Sequence, residues 1–163
     1  MRRLFALAVI VLGLAAVGCM SVPTGLHVYE TNSGCTSDGV CPWGDSGYRQ
    51  FYYAPTREIV VVVGQPLKVW AHEACHAHQH QATLDETGRE PVGLTLAEWQ
   101  TTDEGVAYAA AIAGWPRPDW YAIANNYSLL EDFAEACGRY LVQDPRFPSD
   151  PARDVFFEAR DFR

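Results

Sequence analysis

The stretch Ala-His-Glu-Ala-Cys-His-Ala-His-Gln-His-Gln-Ala at residues 71–82 holds four of the chain's five histidines, and it constrains the fold more than any other segment. His72 and His76 stand four residues apart. On an α-helix such positions share a face, so both imidazoles can reach one metal ion. Glu73, beside the first imidazole, is then placed to act as a base toward water held at the ion, not as a ligand. Leu67–Gln81 reads as one helix, entered after Gly64 and Pro66 close a preceding β-rich run. His80 continues the four-residue series, but eight helical residues rise about 12 Å, so His72 and His80 cannot share an ion that binds at about 2 Å. His78 and His80 are accordingly expected at the surface, or as outer support for the site.

Export follows from the N-terminus, Met-Arg-Arg followed by an apolar run from Leu4 and then small residues into Cys19. That is the layout of a secretory signal, with an apolar part short for a membrane span. The Ala-Val-Gly-Cys junction at 16–19 resembles a bacterial lipobox, although Ala16 replaces the more usual Leu. The resemblance implies that Cys19 becomes the lipidated first residue. Residues 1–18 are therefore expected to be a signal peptide and 19–26 a tether. Residues 27–163 are expected to form one domain in the cell envelope, anchored outside the cytoplasmic membrane or in the outer membrane. The chain's formal charge is −8, and it grows more negative once Arg2 and Arg3 leave with the signal. So acidic a domain is a poor partner for nucleic acid, and membrane contact should come through the lipid on Cys19.

An exported chain can hold disulfides, and Cys35, Cys41, Cys75 and Cys137 remain after lipidation of Cys19. Of the three possible connectivities, Cys35–Cys41 closes the loop Cys-Thr-Ser-Asp-Gly-Val-Cys, and Cys75–Cys137 joins two expected helices. A reduced, buried Cys75 and Cys137 is the alternative.

Residues 27–31, 48–54 and 58–64 are β-rich, and the last two, separated by Pro-Thr-Arg, suggest a hairpin. The valine-rich strand at 59–63 reads as a buried central strand, or else as an edge that pairs with an extended peptide. A loop is expected over 82–93, then helical residues 95–114 with a break near Gly105. Ser128, with Glu131 three residues on, has capping-box spacing and opens a helix over 128–142. Pro151 begins a last helix reaching 162. The fold class expected is α+β: a small β-sheet followed by a mostly helical half that carries the metal site.

Two carboxylates compete to complete that site. Glu104 lies in Asp-Glu-Gly-Val-Ala-Tyr. Glu131 lies in Glu-Asp-Phe-Ala-Glu-Ala, one helical turn before Glu135. The second arrangement lets Glu131 bind an ion while Glu135 accepts a ring N–H from a ligand histidine.

Taken together, His-Glu-Ala-Cys-His, Glu-Asp-Phe-Ala-Glu-Ala about 55 residues later, and Asp-Pro-Arg-Phe-Pro-Ser-Asp-Pro-Ala-Arg-Asp-Val-Phe-Phe resemble the gluzincin peptidases related to anthrax lethal factor. The resemblance covers roughly residues 60–160. It implies a zincin-like fold and one zinc ion held by His72, His76 and Glu131, with Glu73 as general base and Glu135 behind the ligands. The extended metzincin pattern does not apply, since Gln79 and Ala82 stand where it has Gly and His. The resembled family also places an oxyanion-stabilising tyrosine ahead of the ligand glutamate. Ala124 occupies that position here, and of the neighbours Tyr121 and Tyr127, Tyr127 stands one turn before Glu131 and is the choice.

The expectation is thus an exported, lipid-anchored zinc metallopeptidase acting on peptides or proteins. Its rival is a zinc-binding or adhesive surface lipoprotein that keeps the site without turnover. Glu73 favours the enzyme, because a structural site needs no base beside its ligand.

Overall fold

The computed structural model of the chain describes residues 23–42, 50–91, 96–115, 128–160 and 162. It is an α+β fold: a three-stranded sheet and, among the described residues, four α-helices. Strand β1 is His27–Thr31, β2 is Phe51–Tyr53 and β3 is Glu58–Val62. The spatial order is β1-β3-β2. β3 runs parallel to β1, with Tyr29 opposite Val60, and antiparallel to β2, with Tyr52 opposite Ile59.

The expected hairpin is formed by β2 and β3. Its connection is a 3₁₀ turn at Ala54–Thr56, and Arg57 follows in the left-handed region at φ 54°. Every residue of β3 is buried. Its valine-rich run is therefore a central strand paired on both sides, and the edge alternative does not hold.

Helix α1, Leu67–Thr87, is longer than the sequence pattern indicates. The loop expected from residue 82 begins only at Gly88, which takes the left-handed conformation (φ 66°) and caps the helix through its N–H to the Leu84 carbonyl at 2.8 Å. Thr83 and Thr87 lie within the helix, their hydroxyls donating to the Gln79 and Thr83 carbonyls one turn back at 2.8 Å each.

A second boundary also moves. The interruption expected near Gly105 falls instead at Thr102, between a 3₁₀ turn at Ala97–Thr101 and helix α2, Asp103–Ile112. Thr102 caps α2 by accepting from the Gly105 N–H. Gly105 lies inside the helix, and glycine is required there because a β-carbon would stand 2.1 Å from the Trp99 carbonyl oxygen.

Helix α3 is Leu129–Val142, capped by Ser128, whose Oγ accepts from the Glu131 N–H at 3.1 Å. Helix α4, Pro151–Glu158, has Pro151 in its first turn and Asp150 as cap, and it stops short of residue 162. The aromatic core between the helices centres on Phe133. Trp99 lies 4.6 Å away, Tyr108 5.1 Å and Phe157 5.4 Å between ring centroids. Arg153 of α4 reaches Asp132 of α3 at 3.0 Å in a fully buried ion pair, to which Tyr108 adds its hydroxyl. Adjacent carboxylates on α3 are thereby divided. Asp132 ties the helix to α4, and Glu131 is left to face α1.

Candidate metal centre

His72 and His76 project from α1 toward the start of α3, where Glu131 meets them. Glu131 Oε2 lies 3.4 Å from His72 Nε2, and its Oε1 lies 3.5 Å from His76 Nε2. One donor atom from each of the three side chains falls within 4.8 Å of the others. The capping residue and the helix register produce this: Ser128 starts α3 so that its third residue points across to α1.

Behind His72 stands Glu135, one turn beyond Glu131. His72 Nδ1 lies 3.1 Å from Glu135 Oε2. Lys68 approaches both oxygens of Glu135 at 2.9 Å, and Arg139 Nε donates to it at 2.8 Å. Burial alone would raise the pKa of Glu135, but hydrogen bonds from His72 and Lys68 outweigh it and hold the group well below the usual carboxylate range. Glu131 is held low in the same way, with the two histidines overcoming its burial. For His72, burial opposes the charge, yet the hydrogen bonds to Glu131 and Glu135 prevail and raise its pKa to about 10.

Glu73 differs from these carboxylates. It is 5 % exposed, and burial pushes its pKa up despite the nearby imidazoles. A backbone N–H of β2, from Tyr52, donates to it. It is thus a carboxylate kept near the histidines without their direct hydrogen bonds.

Glu104, the other candidate for the three-residue group, sits elsewhere. It accepts from His78 Nε2 at 3.0 Å and from Trp99 Nε1 at 2.9 Å. His78 and His80 are also not at the surface, the first of the two places the sequence allowed for them. They are 5 % and 0 % exposed. His80 lies between the Tyr52 hydroxyl and Glu90, each at 2.7 Å, and Glu90 in turn pairs with Arg57. These imidazoles are tolerated in the interior because each finds a polar partner.

Both expected disulfides are formed. Cys35 and Cys41 close their small loop, and Cys75–Cys137 joins α1 to α3 across 6.3 Å between Cα atoms. Cys75 directly precedes His76, and Cys137 lies two residues after Glu135, so the bridge clamps the two helices at the histidines. Tyr127, Tyr121, Ala124 and Cys19 lie outside the described residues.

Lys68, Arg139 and Gln79 are supporting residues that the sequence reading missed. For Lys68 the usable signal was its position four before His72 on the same helix face. For Gln79 it was the three-residue spacing from His76.

The donor set suits a divalent ion. Around zinc at about 2.0–2.1 Å in a tetrahedron, ligand atoms stand about 3.3–3.4 Å apart. The two imidazoles approach different oxygens of Glu131, His72 at 3.4 Å to Oε2 and His76 at 3.5 Å to Oε1, and with one donor atom taken from each residue the three fall within 4.8 Å, a group that could hold a metal ion. Two imidazoles and one carboxylate are also the ligands of catalytic zinc sites that keep a position open. No protein-family model, curated protein or solved structure matches the chain.

Proposed function

We propose that the protein is a zinc-dependent peptidase of the gluzincin type, exported and held at the membrane by a lipid on Cys19. The observation that carries this reading is Glu73: a buried carboxylate with a raised pKa, one residue from His72, where the His72–His76–Glu131 group comes together. His72, His76 and Glu131 would hold the ion. Bound there, zinc supplies Lewis acidity at the open side of the three ligands.

The chain's own groups account for the proton movements. Glu73 takes a proton from the attacking water as its oxygen bonds to the peptide carbonyl carbon, and returns it to the departing nitrogen as the C–N bond breaks. A pKa above the ordinary carboxylate value brings Glu73 closer to the operating pH, where proton transfer in both directions is most effective. The Tyr52 N–H fixes the orientation of that carboxylate. Glu135 holds His72 with Nε2 turned toward Glu131, and Lys68 and Arg139 hold Glu135. The disulfide fixes the spacing of α1 and α3.

Elemental analysis of the purified protein, followed by cleavage of a broad peptide library, tests the proposal. Stoichiometric zinc with peptide hydrolysis that a chelator abolishes is expected. Zinc without cleavage would favour a metal-binding surface lipoprotein, and absence of zinc binding would overturn both readings.

A further inference from the structure

We propose that Gln79 is a positioning residue that sets the tautomer of His76 and ties it to the helix bearing Glu131. The inference rests on the reading of His72, His76 and Glu131 as metal ligands.

Gln79 is completely buried on α1, one turn after His76. Its side chain makes two hydrogen bonds in opposite directions. The amide nitrogen Nε2 donates to the Leu130 backbone carbonyl at 3.0 Å, and the amide oxygen Oε1 lies 2.8 Å from His76 Nδ1. A backbone carbonyl can only accept, so the NH₂ end of Gln79 must face Leu130. That leaves the oxygen facing His76. An amide oxygen also can only accept, so His76 Nδ1 must carry the hydrogen. In the neutral imidazole the lone pair is then on Nε2, the atom 3.5 Å from Glu131. A carbonyl on α3 thus determines, through one amide, which ring nitrogen on α1 is available to a metal ion.

The same bond couples the two halves of the site. Leu130 directly precedes Glu131, so the Gln79 tether holds α3 at the residue before the carboxylate ligand. The two histidines are also supported unequally. His72 has an anion behind it, Glu135, held by two cations, whereas His76 has a neutral amide. A neutral acceptor orients the ring without adding a further charge to a group that already contains Glu73, Glu131 and Glu135. Outer partners of ligand histidines typically change metal affinity by 10–100-fold.

Long-range ¹⁵N–¹H NMR of the metal-free full chain, prepared in chelator, reports the tautomer of each histidine directly. His76 is expected as the Nδ1–H form, and an Nε2–H form in the wild type overturns the proposal without any variant. Gln79→Met keeps the length of the side chain and removes both hydrogen bonds. It should produce a mixture of His76 tautomers and weaken zinc binding 10–100-fold in a competition titration. Gln79→Glu keeps an acceptor for His76 and removes the donor to Leu130. It should retain the Nδ1–H tautomer and lose less affinity than Gln79→Met. Equal losses in both variants with an unchanged tautomer would mean that Gln79 acts through packing alone, which overturns the assignment. Failure of the metal reading is distinguishable: the wild type would then bind no zinc, while its tautomer would still support or refute the role of Gln79.

Discussion

Gly138 lies directly against the backbone of His72: a β-carbon at position 138 would stand 2.9 Å from the His72 nitrogen and 3.1 Å from its Cα. The close approach of α3 to α1, which brings Glu131 and Glu135 within reach of the histidines, depends on the missing side chain.

Gly138→Ala should therefore weaken the site although alanine is the better helix former. The propensity gain is about 1 kcal/mol. Against it stands a clash with backbone, which cannot rotate aside, and overpacking of this kind costs about 1–3 kcal/mol. Denaturant unfolding in chelator should show net destabilisation, and zinc titration should show reduced affinity. A more stable protein with unaltered zinc binding would show that the helices do not need this contact.

Glu131→Ala and Glu104→Ala should separate the two acidic candidates. Loss of Glu131 should reduce zinc affinity by orders of magnitude. Loss of Glu104 should leave zinc binding nearly intact but destabilise the fold by about 1–3 kcal/mol, since His78 and the Trp99 N–H lose a buried acceptor. Zinc binding that survives the first substitution and fails in the second would reverse the assignment.

How far the sequence discloses this arrangement depends on the kind of signal. The positions of His72, His76, Glu131 and Glu135 follow from helical spacing, and Ser128 and Pro151 mark helix starts, because those rules act within one or two turns. The end of α1 was less legible. Thr83, Asp85 and Thr87 read as loop residues, but nothing in them breaks a helix, and the backbone leaves it only where Gly88 takes a positive φ. The burial of His78 and His80 was not legible at all. It depends on Glu104, Tyr52 and Glu90, partners brought in by tertiary packing from 10 to 28 positions away in the chain. Gly138 and Gln79 belong with them, since their significance lies in a neighbouring helix.

The charge state of the metal-free site gives a pH prediction. His72 has a folded pKa of about 10 against an ordinary 6.5. Its contribution is fully present below about 6.5 and is lost as the pH rises toward 10. Glu131 and Glu135 are shifted below 4.5, so theirs is present above that value and lost on acidification. Glu73, shifted upward by burial, loses stability from about 4.5 upward. Urea midpoints measured in chelator should fall from pH 6.5 to 10, and more steeply in the wild type than in His72→Gln. Identical slopes would remove His72 as the source. With zinc present the trend should reverse over the same range, because the ion requires the His72 proton to leave and binds more tightly as the pH rises.

Glu73→Gln is the most discriminating substitution. Glutamine has nearly the same shape and keeps an oxygen to accept the Tyr52 N–H, so α1 and its histidines should stay in place. The folded structure and zinc content are expected to match the wild type. The amide cannot take a proton from water, and loss of that transfer typically lowers the rate by about 10²–10⁴-fold. Circular dichroism, zinc analysis and peptide hydrolysis on the same preparation check the three parts. Loss of zinc would give Glu73 a structural role in the centre. Unchanged hydrolysis with zinc retained would remove it as the base, because no amide can replace a carboxylate in that step.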